Sequence, residues 1–153
     1  TARLFEAASH ASAILCGATP EQEKAFQDYG RYLGTAFQLI DDLLDYDADN
    51  TQLGKNTGDD LDKGKPTLPL LHAMHHGNET ESQLIRQAIE KGNGRHLLDT
   101  VLKPMKQCAS LEYPRQKAEE EADKAIEALA IIPDSSYKDA LIGLAHVAVQ
   151  RQS

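Results

Sequence analysis

The sequence of 153 residues contains no tryptophan, only 5% aromatic residues and only two cysteines. Nowhere do Val, Ile and Thr alternate with polar residues over the length of a strand, so the pattern does not predict a β-sheet. Cys16 and Cys108 form neither a Cys-x-x-Cys pair nor a Cys/His spacing, which speaks against a disulfide scaffold or a cysteine-ligated metal. We therefore expect buried free thiols in a reducing, cytoplasmic compartment.

Positive charge is also in short supply. Lys and Arg number 16 against 24 Asp and Glu, which gives a formal net charge of −8. This sign opposes binding to nucleic acid and to anionic membrane surfaces. The sequence has no apolar run of the ~20 residues that cross a bilayer, so we expect no transmembrane segment.

Helix signals, by contrast, occur along the whole chain. The helical spacing already runs from Thr1, which we interpret as a chain that begins inside or just before a helix. Thr19 and Pro20 then start a long helix that we expect to reach about Ala48. Further helices are predicted over 68–76, 80–91 (with a Thr80/Gln83 capping box), 95–109, 114–130 and from Ser135 to about Gln150. The pattern predicts an all-α bundle of about six or seven helices.

One face of the long helix is polar. At 100° per residue, several polar and small residues fall within about 60° of Gln38 on this helix. These residues are Arg31, Gly34, Thr35, Asp41, Asp42 and Asp45. Gly34 and Thr35 are small enough to leave room for a ligand.

The three aspartates on this face predict a cation site. Asp41, Asp42 and Asp45 repel one another, and each like-charged pair costs a few tenths of a kcal/mol in a helix. Magnesium offsets such repulsion, because it takes oxygen ligands from one or two carboxylates and from substrate phosphates. The alternative is a solvated acidic face, which is the common fate of such charge runs.

The long loop over residues 50–66 has the composition of a phosphate site. Lys55 and Lys65 are charges on flexible stems, and three glycines let the backbone approach a ligand closely. Pro66 after Gly64-Lys65 excludes a P-loop, which needs Ser or Thr there. The loop also contains three aspartates, Asp59, Asp60 and Asp62. We expect them to keep the loop soluble, in preference to the alternative that they belong to the second shell of a metal site.

These residues carry a resemblance to a known family. Phe37-Gln-Leu-Ile-Asp-Asp-Leu-Leu-Asp45, followed by the Gly-Lys and Gly-Asp-Asp pattern of residues 54–70, resembles the second aspartate-rich region of the trans-polyprenyl diphosphate synthases. The tail over residues 112–145 is most similar to bacterial members that make an octaprenyl chain, of the kind used for quinone side chains. The resemblance covers essentially the whole chain.

The resemblance implies an all-α isoprenoid synthase fold, a homodimer, and head-to-tail condensation of an allylic diphosphate with isopentenyl diphosphate. It implies that Asp41, Asp42 and Asp45 bind Mg²⁺. It also implies that Thr1, Lys55 and Lys65 contact the diphosphate and that Gln38 lies beside the allylic cation. The family's first aspartate-rich motif and isopentenyl-binding residues have no match here. Residues 1–153 are thus expected to be the C-terminal portion of one all-α domain.

Two other functions remain open at this point. The chain could belong to a non-catalytic synthase subunit that keeps the diphosphate site, or it could be a helical interaction module. His72, His75 and His76 share one short helix, and histidines four apart can chelate zinc. No glutamate completes a His-Glu-x-x-His motif, so we favour surface or core histidines there.

Overall fold

The computed structural model describes residues 1–46 and 57–151, and no strand occurs within those ranges. The helices are α1 (Ala2–Leu15), α2 (Pro20–Leu44), α3 (Asp59–Asp62), α4 (Leu68–His76), α5 (Glu79–Lys91), α6 (Leu98–Gln107), α7 (Glu112–Ala128) and α8 (Ser136–Gln150). Short 3₁₀ turns cover Gly94–Leu97 and Leu129–Ile131. The prediction of an all-α fold is confirmed. In the described part of the chain, no helix has both the length and the apolar character needed to cross a membrane.

The chain forms two compact units, of which the first contains residues 1–40 and 117–151. Its core is built from buried positions of α2, α7 and α8, among them Tyr29, Leu33, Ala125 and Ala145. Ala118, Ala122 and Ala125 are buried on one side of the charged helix α7, and Ala125 belongs to this core. Tyr29 donates its hydroxyl hydrogen to the Leu141 carbonyl at 2.9 Å, which satisfies a buried polar group.

The second unit contains residues 41–116. Its core includes Tyr46, Leu61, Leu70 and Val101, all fully buried. Leu61 comes from the middle of the segment that the sequence predicts to be a loop. Because burying this leucine orders the chain around it, residues 59–62 form the short helix α3 instead of irregular structure.

Three local predictions are wrong. Helix α2 ends at Leu44 instead of near Ala48, because the chain turns at Asp45 to meet the residues before α3. Asn78 and Glu81 form the capping box of α5, which therefore starts one residue before Thr80. Cys16 is exposed, because it lies just past the end of α1, and Cys108 is only partly buried, although both cysteines are free thiols as expected.

Candidate functional site

Of the predicted aspartates, Asp41 and Asp42 lie in the last turn of α2, and Asp45 follows directly after its end at Leu44. Asp42 is 8% exposed, whereas Asp41 and Asp45 are partly buried. The neighbouring Leu43 and Leu44 are buried, so the apolar side of the helix fixes where the carboxylates lie. A carboxylate as buried as that of Asp42 needs a charged or hydrogen-bonding partner.

Lys65 is one such partner. Its Nζ donates to Asp42 Oδ1 at 2.9 Å and lies 3.4 Å from Asp60 Oδ2. Burial alone lowers the pKa of the Lys65 ammonium, but its hydrogen bonds to Asp42 and Asp60 and their charges outweigh burial and raise it. The structure thus brings predicted residues from α2 and from the following loop together around one ammonium group.

Asp45 has a different role from that of Asp42. Its Oδ1 accepts from the backbone N–H of Asp59 at 3.2 Å, and its Oδ2 accepts from that of Asp60 at 2.9 Å. The Asp45 carbonyl also accepts from the Gly58 N–H at 2.9 Å. Burial raises the pKa of the Asp45 carboxyl, and these backbone hydrogen bonds oppose the rise. Asp45 therefore caps the start of α3 and holds the loop to the end of α2.

Asp60 joins the same cluster, although sequence reasoning assigned it only a solubilising role. Burial raises the pKa of its carboxyl, and the negative charges of Asp42 and Asp41 raise it further against the opposing effect of Lys65. The sequence contains one feature that could have revealed this position. Leu61 is the one apolar residue among the aspartates of residues 59–62, and its burial places the neighbouring Asp60 near the carboxylates of α2. Asp60 is thus a further candidate site residue.

A buried hydroxyl pair lies beside these carboxylates. The Thr67 hydroxyl donates to the Tyr46 hydroxyl oxygen at 3.4 Å, and both residues are buried. Burial strongly raises the pKa of the Tyr46 phenol, and the charges of Asp45, Asp60 and Asp42 add to the rise. The phenol therefore stays neutral next to three carboxylates.

The structure describes two of the other three predicted residues. Lys55 lies outside the described residues. Thr1 is exposed before α1, where its carbonyl accepts from the Leu4 N–H at 2.9 Å. Gln38 is partly buried on α2, within the portion of that helix that belongs to the first unit.

Gly34 does not leave room for a ligand. A Cβ at this position would lie 2.7 Å from the Ala2 Cα and 2.9 Å from the Phe5 Cβ. Helices α1 and α2 therefore approach closely at Gly34, and the space is filled by α1. The neighbouring Thr35 hydroxyl donates to the Arg31 carbonyl at 2.9 Å within its own helix. The expectation of a ligand space is therefore wrong at Gly34.

The donor set fits a hard cation only in part. Among residues 1–46 and 57–151, no group of three or more His, Cys, Asp or Glu side chains is arranged to hold a metal ion. Both oxygens of Asp45 are engaged by backbone N–H groups. Asp41, Asp42 and Asp60 nevertheless offer carboxylate oxygens that repel one another. Magnesium is commonly held by one or two carboxylates together with substrate phosphates and waters, so these carboxylates match only the protein part of such a site.

The histidines of α4 form an aromatic stack. The ring of His72 stacks on that of His76 at 4.1 Å and on that of Tyr113 at 4.6 Å between ring centroids. His72 Nδ1 shares a 2.9 Å hydrogen bond with the hydroxyl of the fully buried Ser110. Burial lowers the pKa of His72, and the nearby His76 and His75 lower it further. The stack joins α4 to the start of α7.

Comparison with known proteins identifies relatives of this whole chain. The polyprenyl synthetase family model matches residues 1–105. The octaprenyl diphosphate synthase of Escherichia coli K12 is 72% identical over 151 residues, which are 99% of this chain and 47% of the relative. The octaprenyl diphosphate synthase of Haemophilus influenzae is 60% identical over the same length, 46% of that relative. The chain therefore spans about half the length of the curated relatives it matches.

Solved structures of the same kind of enzyme also resemble this chain. A decaprenyl diphosphate synthase from Rhodobacter capsulatus superposes with a TM-score of 0.88 at 39% identity, covering 100% of this chain and 47% of that one. A polyprenyl synthase from Caulobacter crescentus CB15, complexed with calcium and isoprenyl diphosphate, has the same TM-score, identity and coverage.

Proposed function

This chain belongs to the polyprenyl synthetase family, and on that premise we propose that it supplies the second aspartate-rich site of a trans-polyprenyl diphosphate synthase. The reaction is the head-to-tail condensation of an allylic diphosphate with isopentenyl diphosphate. The observation that carries the proposal is the cluster of Asp42, Asp60 and Lys65, in which two carboxylates share one ammonium at the end of α2. A diphosphate and a divalent cation together match this mixture of charges.

Magnesium is the proposed cofactor. Asp41 and Asp42 would hold it together with substrate phosphates and waters. The charge of Asp60 acts on these carboxylates, and both carboxylate oxygens of Asp45 accept hydrogen bonds from the backbone of the loop. When bound, the ion neutralises charge on the departing diphosphate. The calcium and isoprenyl diphosphate named for the Caulobacter crescentus structure support a divalent cation and a diphosphate in this family.

The side chains of this chain have distinct proposed roles. Lys65 contacts the diphosphate as a flexible point charge, exchanging carboxylate partners for phosphate oxygens. Lys55 and Thr1 are proposed to contact the same diphosphate, as the family resemblance implies. Gln38 is proposed to lie beside the allylic cation, where its amide dipole orients toward positive charge. Attack by the isopentenyl double bond and loss of a proton complete the condensation.

The product is proposed to be an octaprenyl diphosphate, because the relatives at 72% and 60% identity bear that name. We propose, as the family resemblance implies, that residues 1–153 form the C-terminal portion of one all-α domain; the relatives, about twice as long, support a partial match. Leu4 and Leu15 of α1 are 75% and 87% exposed, which is apolar surface of the kind that further protein covers. A homodimer of the complete synthase is proposed on the same resemblance.

The proposal is tested with a chimeric synthase, called the graft below. The 151 matched residues of Escherichia coli octaprenyl diphosphate synthase are replaced by those of this chain, and incorporation of radiolabelled isopentenyl diphosphate is measured with an allylic diphosphate. We expect magnesium-dependent incorporation and a product of octaprenyl length. A folded graft that binds allylic diphosphate but incorporates no label would instead favour the non-catalytic subunit. A folded graft that does not bind the diphosphate would favour the interaction module.

A further inference from the structure

The short helix α3 is attached at its far end to the turn between α5 and α6. The Asp62 carbonyl accepts from the Asn93 N–H at 2.7 Å, and Asp62 Oδ1 accepts from the Arg95 N–H at 3.3 Å. The Arg95 guanidinium then reaches back and pairs with the Asp59 carboxylate at the start of α3. Both ends of the helix are therefore tied to one turn, formed by residues 92–95.

Close backbone packing reinforces the attachment. A Cβ on Gly94 would lie 2.9 Å from Leu61 Cγ and 3.0 Å from the Leu61 carbonyl oxygen. Gly64 has a φ of +65°, and a Cβ there would lie 2.4 Å from the Ile89 carbonyl oxygen. Only glycine fits at positions 64 and 94, because a side chain at either position would push the α3 segment away from α5 and the turn that follows it.

Helix α3 in turn fixes the two groups of the proposed site that do not come from α2. Asp60 is its second residue, and the Lys65 N–H donates to the Asp60 carbonyl at 2.8 Å. Asp45 holds only the beginning of α3, through the N–H groups of Asp59 and Asp60. The tilt of α3, and with it the place of the Asp60 carboxylate and of the Lys65 backbone, depends on the attachment at Asp62.

From these contacts we propose that Asp62 and Arg95 are positioning residues, which hold Asp60 and Lys65 where the diphosphate and its cation bind. This inference rests on the proposed function. The attachment acts through position, because the hydrogen bonds of Asp62 run to the 92–95 turn while Lys65 pairs with Asp42 and Asp60. Outer partners of metal-site groups are typically worth 10–100-fold in metal affinity or activity.

A purely structural ion pair would behave differently. The side chains of Arg95 and Asp59 are 45% and 41% exposed, and exposed pairs contribute little to stability. If the pair had no role beyond stability, its loss alone would leave both folding and substrate use nearly unchanged. The pair of Lys117 and Glu120 in the first unit, with side chains 39% and 40% exposed, provides a matched control.

The experiment uses the graft described above, with the variants Asp62→Ala, Asp62→Asn, Arg95→Ala and the control Glu120→Ala. Asp62→Ala should raise the KM for the allylic diphosphate and the half-saturating Mg²⁺ concentration about tenfold. The melting temperature should change little. Asp62→Asn keeps an acceptor for the Arg95 N–H and should recover most of the loss, and Arg95→Ala should fall between the two. Glu120→Ala should match the parent graft.

A second measurement follows the geometry directly. Amide hydrogen exchange at Asp60 and Lys65 should accelerate in Asp62→Ala and remain near the parent rate in Asp62→Asn. Unchanged exchange, or faster exchange with unchanged KM and Mg²⁺ requirement, overturns the positioning role while an active parent graft leaves the proposed function intact. A parent graft that folds but has no turnover overturns the proposed function and the inference resting on it.

Discussion

The carboxylate of Asp45 accepts a 2.9 Å hydrogen bond from the backbone N–H of Asp60. This contact joins the third aspartate of an acidic helix end to a loop aspartate 15 residues later. The two aspartates of this helix end therefore have different partners. Asp45 binds backbone N–H groups of the loop, whereas Asp42 pairs with Lys65. The backbone N–H groups of Asp59 and Asp60 thus stabilise one of the negative charges that lie close together here.

Replacing Asp45 should therefore affect folding. Asp45→Ala removes the acceptor of two backbone N–H groups, and loss of a helix cap costs about 1 kcal/mol of the free energy of unfolding. Asp45→Asn keeps one acceptor oxygen and should lose less. Urea denaturation of this chain measures both. Asp134→Ala, which removes a 98% exposed carboxylate, is the control, and an Asp45→Ala loss no larger than its own would refute the capping role.

The lysines of the loop should matter for substrate use instead. Lys65→Ala in the graft removes a charged donor, and a hydrogen bond to a charged group contributes about 1.5–3 kcal/mol. We expect the KM for the allylic diphosphate to rise roughly tenfold or more, and Lys55→Ala to act in the same direction. Lys63→Ala removes an equal charge from an exposed neighbouring position. Equal KM values for Lys65→Ala and Lys63→Ala would count against a diphosphate contact.

Close packing of α1 on α2 predicts opposite effects at two glycines. Gly34→Ala would place a Cβ 2.7 Å from the Ala2 Cα, and overpacking typically costs about 1–3 kcal/mol. Gly143→Ala in α8 meets no atom within 4 Å, and alanine is favoured over glycine in a helix by about 1 kcal/mol. Thermal unfolding should show a lower melting temperature for the first variant and a higher one for the second. Stabilisation by Gly34→Ala would show that the helices are not in close contact.

The histidine stack predicts a loss of stability in mild acid. The pKa of His72 is lowered in the folded chain, so the fold prefers the neutral ring. Its contribution is complete above the unfolded pKa of about 6.5 and is lost as the pH falls through the folded value. The free energy of unfolding should therefore fall from pH 8 to pH 5, and less steeply in His72→Gln. His146→Gln, at an exposed position of α8, is the control. Parallel curves for His72→Gln and the parent chain would disprove the linkage.

Amphipathic helices were predictable from the sequence because their burial follows a local period. The alanines of α7 and the apolar side of α2 are buried as their 3.6-residue spacing requires. The end of α2 was not predictable in this way. Asp45 turns away to cap a segment that is distant in sequence, and no local propensity encodes that contact.

The candidate site was predictable in its residue types but not in its pairing. Asp42 and Lys65 were expected from motif and composition, and they meet at 2.9 Å. The composition of the loop predicts only a solubilising role for Asp60. Its position depends on Leu61 entering the core of the second unit. Gly34 is an error of the opposite kind, because the sequence predicts space for a ligand there. The glycine instead allows helix α1 to pack closely against α2.

The central claim is that Asp42, Asp60 and Lys65 form a site for a diphosphate with magnesium. A nuclear magnetic resonance titration of the isotopically labelled chain with inorganic pyrophosphate, with and without Mg²⁺, tests it most directly and detects weak binding. We predict shifts of the Asp42, Asp60 and Lys65 amides that require both components together and that disappear in Asp42→Asn. A folded chain whose amides do not respond, or respond equally without Mg²⁺ and in Asp42→Asn, would contradict the claim.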